Sequence, residues 1–192
     1  MVGIIFIIIA YLVGSLSSAI LVCKAMSLPD PRTEGSGNAG ATNVLRIAGK
    51  LPAILTLVGD LLKGFLPVLI AYLLGAWGFM LALVALAAVV GHIFPLFFKF
   101  QGGKGVATLF GGMLVLSFPI ALISLIVWIV VVAISRYISL ASLVAVVLGT
   151  LLVLFFHTVY FLPILIAAIL IIWRHMENIQ RLKAGTENKF NW

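Results

Sequence analysis

Residues 105–135 read GVATLFGGMLVLSFPIALISLIVWIVVVAIS. As one helix, this apolar stretch would be about 46 Å long, whereas the hydrocarbon core of a bilayer is about 30 Å thick. The stretch also contains Pro119, and proline disfavours helical geometry in the residue that precedes it. We therefore predict two helices, 105–117 and 119–135, so that the chain reverses direction near Ser117.

The composition of the chain excludes a soluble protein. Hydrophobic residues make up 64% of the 192 residues and charged residues only 9%, with a mean hydropathy of +1.32. Apolar runs near the length of a membrane-spanning helix recur along the sequence. We therefore predict an all-α polytopic membrane protein, with residues 1–192 forming one transmembrane domain.

The remaining apolar runs complete the predicted topology. The stretch 138–173 is too long for one crossing, and we divide it near His157–Tyr160. With the two helices of 105–135, this division gives seven transmembrane helices, some of them short. The other three predicted spans are about 3–23, 52–74 and 78–98.

The distribution of basic residues gives this topology an orientation. Lysine and arginine accumulate on the cytoplasmic side of membrane proteins. If the N-terminus lies outside, every one of the 12 basic residues except Lys63 falls in a cytoplasmic segment. The C-terminus is then cytoplasmic as well. The predicted cytoplasmic segments are about 24–51, 99–104, 135–138 and 174–192.

The first cytoplasmic segment contains EGSGNAGATNVLR, residues 34–46. Its glycines allow backbone N–H groups to turn toward a ligand, and Arg46 adds a planar cation suited to phosphate. We interpret this ribbon as a phosphate cradle; a flexible loop whose arginine contacts anionic lipid headgroups is the alternative. The candidate phosphate-binding residues in it are Ser36, Asn38, Thr42, Asn43 and Arg46.

Two further polar segments are predicted on the same membrane face. In FQGGKGVAT (100–108), Lys104 lies beside Gly102 and Gly103 at the start of a short helix, where an anion can bind. The segment lacks the spacing of a nucleotide-binding P-loop, and a lysine reaching lipid phosphate is the alternative. In WRHMENIQRLKAGTENK (173–189), His175 and Asn178 share a helix face. This segment would form either part of a substrate site or a membrane anchor.

Asp60 and Lys63 lie three residues apart within the second predicted span. Charged residues inside a membrane are functional candidates, and a pair that only locks helix packing is the alternative. Ser15, Ser17 and Ser18 are possible partners. Cys23 is the sole cysteine and the three histidines are far apart, so we predict no metal, no cofactor and no nucleic-acid partner.

Four segments, taken in order, resemble the bacterial acyl-phosphate:glycerol-3-phosphate acyltransferases over nearly the whole chain. They are DPRTEGSGNAGATNVLR, GDLLKG, GHIFPLFFKFQGGKGVAT and RHMENIQRLKAGTENK. The resemblance implies an inner-membrane enzyme with a cytoplasmic active site. It would transfer an acyl group from acyl phosphate to the 1-hydroxyl of sn-glycerol 3-phosphate, giving lysophosphatidic acid and inorganic phosphate. The family motif residues map to Ser36, Thr42, Asn43, Arg46, Gly102, Gly103, Lys104, Ser142, His175 and Asn178.

The resemblance leaves the mechanism open. The His-x-x-x-x-Asp dyad of other glycerolipid acyltransferases is absent from the sequence. We favour direct attack without an acyl-enzyme, in which Lys104 stabilises developing charge and either His175 or the substrate phosphate is the base. Ser142 and Asn178 would support the site. A transporter or flippase for a phosphorylated metabolite is the alternative function, and the oligomeric state is open.

Overall fold

The computed structural model describes residues 2–190, and within this range the regular secondary structure is helical. A single 3-10 turn, Leu96–Phe98, precedes the glycine-rich polar segment 100–108. The α-helices are α1 (Val2–Gly14), α2 (Ser18–Ala25), α3 (Ala41–Ala48), α4 (Lys50–Leu73), α5 (Gly78–Ile93), α6 (Val106–Leu116), α7 (Phe118–Ser135), α8 (Ile138–Phe156), α9 (Thr158–Arg174) and α10 (Met176–Lys183).

The helices are those of a multi-pass membrane protein. α4, α7, α8 and the segment Gly78–Phe98 are each long and apolar enough to cross a bilayer. The number of candidate spans rises to six if the bent pairs α1–α2 and α9–α10 each count as one. α6 is apolar but shorter than these. The predicted total of seven spans and the orientation of the termini remain predictions.

The chain breaks where Pro119 and His157 predicted that it would. Ser117 has extended backbone angles between α6 and α7, and His157 separates α8 from α9. The two breaks lie together, because Ser117 Oγ is 3.2 Å from His157 Nε2. The two breaks therefore meet through a side-chain contact, in which Ser117 is buried and His157 is half-buried.

The prediction of one continuous first helix over 3–23 is wrong. The chain bends by 42° between α1 and α2. Just before the bend, the Ser15 hydroxyl donates a hydrogen bond to the Tyr11 carbonyl, one turn earlier in the chain, at 2.8 Å. A bend inside a bilayer leaves a backbone carbonyl without its helical partner. Here the carbonyl of Leu16 accepts a hydrogen bond from Lys63 Nζ at 3.0 Å. An ammonium group of α4 thus compensates for the bend.

α5 is the central helix, with α1, α4, α6 and α9 packed around it. α6 also packs closely along α4 through two glycines. A Cβ on Gly64 would lie 2.0 Å from the carbonyl oxygen of Thr108, and one on Gly111 would lie 2.1 Å from that of Leu61. Small residues at such contacts let transmembrane helices approach closely. This packing fixes the start of α6, and with it the preceding glycine loop.

Candidate active site

Asn43 organises the first polar loop. Its side chain is buried, with Oδ1 accepting the Ser36 amide at 2.8 Å. The two hydrogens of Nδ2 are donated to the carbonyls of Pro31 at 2.8 Å and Glu34 at 3.0 Å. Both donors of the Asn43 amide are therefore used within its own loop. Asn43 shapes the loop around the first turn of α3 rather than presenting a free donor to a ligand.

The glycine loop, residues 102–105, packs directly against the end of α5. A Cβ on Gly102 would lie 2.0 Å from the His92 carbonyl oxygen, and one on Gly103 would lie 2.2 Å from His92 Nε2. The amide of Gly103 donates to the same carbonyl at 3.2 Å. These contacts explain why both positions are glycine. They also show that one of the amides expected to face an anion is used inside the protein.

Arg174, the last residue of α9, holds the outer side of the glycine loop. Its Nη2 donates to the carbonyl of Gly102 at 3.1 Å, and its Nε lies 3.4 Å from that of Gly103. A guanidinium can span two neighbouring carbonyls because its donors are fixed in a plane. The sequence placed Arg174 beside His175 in the third polar segment, as part of a substrate site or a membrane anchor, but did not indicate its contact with the glycine loop.

Lys104 and Asn178, both predicted site residues, lie in direct contact. Lys104 Nζ donates to Asn178 Oδ1, and Asn178 Nδ2 donates to Glu187 Oε1 at 2.7 Å. The same carboxylate accepts hydrogen bonds from Ser139 Oγ and Arg181 Nε, both at 2.7 Å. Glu187 is thus the centre of a polar network joining α8, α10 and the glycine loop. Sequence reasoning did not single it out.

Burial lowers the pKa of two of the predicted catalytic side chains, Lys104 and His175. It lowers the pKa of Lys104 to about 8, although the Glu187 carboxylate acts in the opposite direction. Burial, assisted by the charge of Lys104, lowers the pKa of His175 to about 4. His175 Nδ1 lies 2.7 Å from the carbonyl oxygen of Ile171. Since a carbonyl only accepts, Nδ1 carries the proton and the neutral ring has an unprotonated Nε2 at neutral pH.

Glu187 stays ionised despite its surroundings. Burial raises its pKa, but the hydrogen bonds from Asn178, Ser139 and Arg181 together lower it below the ordinary glutamate value. Its negative charge offsets part of the positive charge that Lys104, Arg174 and Arg181 bring to this region.

Two adjoining pockets open beside these residues and share Gly37 and Arg174. The first, of about 300 Å³, combines lysine and arginine side chains with polar groups of the first loop; it is lined by Ser36, Gly37, Asn38, Lys104, Trp173, Arg174, Met176, Glu177 and Arg181. The second, of about 330 Å³, is lined by Arg32, Gly37, Phe100, Gln101, Gly102 and Arg174. We name the first of them the cationic pocket.

Four predicted site residues, Asn43, Gly103, His175 and Asn178, adjoin residues of these pockets without lining either pocket, and three others lie apart from them. Thr42 and Arg46 are exposed on α3, and neither is among the described residues that line the two pockets. Ser142 is buried on α8, where its hydroxyl accepts a hydrogen bond from Trp128 Nε1 at 3.2 Å. It lies one turn along α8 from Ser139, which contacts Glu187. Ser142 is therefore connected to the Glu187 network through α8, the helix that it shares with Ser139.

Asp60 and Lys63 form the ion pair that their spacing predicts, at 2.9 Å and with both side chains buried. The further contacts of this ion pair are made with the Leu16 carbonyl and His92 rather than with the expected serines. Lys63 reaches the Leu16 carbonyl at the bend between α1 and α2. His92 Nδ1 lies 3.5 Å from Asp60 Oδ1 on the other side.

Removing the Glu187 carboxylate should destabilise the protein. Glu187→Ala leaves the Asn178 and Ser139 donors without their acceptor, and an unsatisfied buried donor costs about 1–3 kcal/mol. We expect a lower unfolding temperature for the detergent-purified variant. Glu177→Gln, at an exposed carboxylate on α10, is the matched control and should unfold with the wild type. Equal unfolding temperatures for wild type and Glu187→Ala would contradict this role.

The apolar helices and the cationic pocket define a class: a multi-pass membrane protein whose polar loops form a site suited to phosphorylated molecules. The family model described as glycerol-3-phosphate acyltransferase matches residues 4–185. This chain belongs to that family, and it is an integral membrane acyltransferase. The family decides between the two functions that the sequence left open, in favour of an enzyme.

Individual relatives agree over almost the full length. A glycerol-3-phosphate acyltransferase of Coxiella burnetii is 56% identical over 187 residues, which cover 97% of each chain. One of Shewanella woodyi is 52% identical over 182 residues, covering 95% of this chain and 90% of the relative.

Two solved structures have the same fold. Both are crystal structures of PlsY, described as an integral membrane glycerol 3-phosphate acyltransferase, and each comparison covers 100% of this chain and 96% of the other. The glycerol 3-phosphate form has a TM-score of 0.94 at 40% identity. The lysophosphatidic acid form has a TM-score of 0.91 at 39% identity.

Proposed function

We propose that this enzyme transfers a fatty acyl group from acyl phosphate to the 1-hydroxyl of sn-glycerol 3-phosphate. The hydroxyl oxygen attacks the acyl carbonyl carbon, the bond from that carbon to the phosphate oxygen breaks, and the hydroxyl proton passes to a base. The products are lysophosphatidic acid and inorganic phosphate. The observation that carries the proposal is the cationic pocket, where Lys104, Arg174 and Arg181 converge.

The charge of the pocket suits the charges of this reaction. The acceptor, the donor and the leaving group all carry phosphate, and arginine and lysine are the side chains that bind phosphate most effectively. In a partly buried site these cations also stabilise the negative charge that develops on the carbonyl and on the departing phosphate. We assign this stabilisation to Lys104, which is directed into the pocket beside Asn178.

The pocket also has an apolar side that suits an acyl chain. Trp173 and Met176 contribute to its lining and are exposed at the end of α9 and the start of α10. An acyl chain can enter between the helices while its phosphate stays with the cations. Membrane lipids, glycerol 3-phosphate and acyl phosphate are thus the proposed partners.

The substrate phosphate is the better candidate for the base. With a pKa of about 4, His175 binds a proton weakly at neutral pH. A phosphate monoester has a second pKa of about 6, which is closer to the working pH and therefore better matched to proton transfer. In this proposal the neutral Nε2 of His175 accepts a hydrogen bond from the acceptor hydroxyl and orients it, without taking the proton.

The remaining predicted residues support the same site. Ser36, Asn38 and the glycine loop contribute donors around the phosphates, while Asn43 holds the first loop in shape. Arg46, exposed on α3, attracts anionic substrate toward the pocket, and the exposed hydroxyl of Thr42 on the same helix is a neutral donor. Ser142 steadies α8 beside the Glu187 network. We place the enzyme in the bacterial inner membrane with the pocket facing the cytoplasm, where the basic segments of the chain would lie.

The choice of donor tests this proposal. Purified enzyme is supplied with glycerol 3-phosphate and one of three donors: acyl phosphate, acyl-CoA or acyl carrier protein. We expect lysophosphatidic acid from acyl phosphate alone, with one inorganic phosphate released per product. Equal product from acyl-CoA would overturn the donor assignment, and inactivity with every donor would overturn the reaction.

Activity should fall in mildly alkaline solution. Because the pKa of Lys104 is lowered to about 8, its positive charge is present below that pH and is lost as the pH rises through it. We expect kcat/KM to decrease about tenfold per pH unit above this point, after correction for spontaneous donor hydrolysis. Lys104→Arg keeps its charge at pH 10 and should lack this alkaline decrease. A wild-type profile that stays flat to pH 10 would contradict the assignment.

A further inference from the structure

His92 joins the ion pair of α4 to the glycine loop. It lies in the last turn of α5 and is buried, with Nδ1 3.5 Å from Asp60 Oδ1. Its backbone carbonyl accepts the amide of Gly103 at 3.2 Å. One residue of the central helix therefore contacts both the charged pair within the span and the loop that carries Lys104.

The imidazole ring is also a packing surface for that loop. A Cβ on Gly103 would lie 2.2 Å from His92 Nε2, 2.8 Å from its Cε1 and 2.8 Å from the carbonyl oxygen of Ala39. Gly103 therefore packs closely against both the His92 ring and the first polar loop. Its neighbours Gly102 and Lys104 are fixed with it.

Charge balance alone does not explain this arrangement. Asp60 and Lys63 already form a buried pair at 2.9 Å, so the carboxylate has a full counter-charge without His92. Lys63 in turn is tied to the carbonyl of Leu16 at the bend of the first span. What His92 adds is the contact between this anchored pair and the glycine loop.

We propose that His92 is a positioning residue for the catalytic lysine: its ring, which lies beside Asp60, packs against Gly103 and, together with the His92 backbone carbonyl, holds the glycine loop so that Lys104 and Arg174 face the cationic pocket. Its effect on turnover rests on the proposed acyl transfer. Its effect on the loop does not, so the two are measured separately. A displacement of about 1 Å in a positioned group costs up to about 100-fold in rate.

Two substitutions separate the contact of the His92 ring with Asp60 from its contact with Gly103. His92→Asn places an amide near the position of Nδ1, which keeps a donor toward Asp60 but vacates the space beside Gly103. His92→Gln places its amide near the position of Nε2 and keeps that space filled. His157→Asn is the matched control, since His157 also lies at a helix break but contacts Ser117 in a different part of the protein.

Steady-state kinetics give the first readout. We expect His92→Asn to lower kcat by about 10- to 100-fold, to raise KM for glycerol 3-phosphate and to move the alkaline limb that Lys104 produces. His92→Gln should retain a clearly larger share of activity, and His157→Asn should have wild-type kcat and KM. If His92→Asn has wild-type kinetics, or if both His92 variants lose activity equally in proportion to their folded fraction, the positioning role is wrong.

Hydrogen–deuterium exchange gives a readout that is independent of turnover. The peptide covering 100–105 should exchange faster in His92→Asn than in wild type, while the same peptide in His157→Asn should be unchanged. Unchanged exchange in His92→Asn would overturn the inference even if activity fell. If the wild-type enzyme produced no lysophosphatidic acid, the proposed function would fail while the exchange experiment still decided the role of His92.

Discussion

Replacing Lys104 with methionine should lower kcat/KM for glycerol 3-phosphate by about 10²- to 10³-fold, the usual cost of losing one preorganised charge-stabilising group. The lysine is suited to this role because it lines the cationic pocket and is held by Asn178. Methionine preserves most of the length and volume of the side chain while removing its charge. Kinetics of lysophosphatidic acid formation, measured on protein with a wild-type unfolding temperature, give the result.

Lys183→Met is the matched control for this substitution. Lys183 is exposed on α10, so the control removes the same charge from the same membrane face without altering the pocket. We expect its kinetics to match those of the wild type. A loss of less than tenfold in Lys104→Met, or an equal loss in both variants, would mean that Lys104 acts only as part of the general positive field.

Replacing Arg174 with lysine should cost about 100-fold in kcat/KM although the charge is kept. Arg174 donates to the carbonyls of Gly102 and Gly103 while it lines both pockets. The compact ammonium of lysine does not reproduce this planar arrangement. The loop should loosen, so KM for glycerol 3-phosphate should rise and kcat should fall together.

Arg136→Lys is the corresponding control, made at an exposed arginine in the turn between α7 and α8. It should leave the kinetics unchanged. Arg174→Met is expected to be worse than Arg174→Lys, because it loses the charge as well as the geometry. Wild-type activity in Arg174→Lys would show that charge alone is required and that the two carbonyl contacts are incidental.

The helix breaks show what local sequence determines. Pro119 predicted a break at the end of α6. The break falls at Ser117, and Pro119 lies in the first turn of α7, where proline is well accommodated. Pro67 and Pro163, by contrast, lie inside α4 and α9. The bend between α1 and α2 contains no proline and was not predicted. It depends on Lys63, which is distant in sequence and satisfies the Leu16 carbonyl.

In the candidate site, as at the helix breaks, the sequence indicated what local composition determines and did not indicate what distant contacts determine. Glycines, asparagines and cations identified the polar loops, and the structure brings Lys104 and Asn178 into direct contact. Their composition did not distinguish a donor that faces a ligand from one that shapes its own loop, as Asn43 does. Glu187 lies within the polar segment 173–189, but nothing in the composition of that segment indicated its position between α8 and α10.

The central claim is that the cationic pocket binds the phosphates of an acyl-transfer reaction. It is tested most directly by inorganic phosphate release from acyl phosphate, with and without glycerol 3-phosphate, in wild type and Lys104→Met. We predict release that depends on glycerol 3-phosphate, equals lysophosphatidic acid formed, and is nearly abolished in Lys104→Met. Wild-type release that is independent of glycerol 3-phosphate, or that is undiminished in the folded variant, would contradict the account.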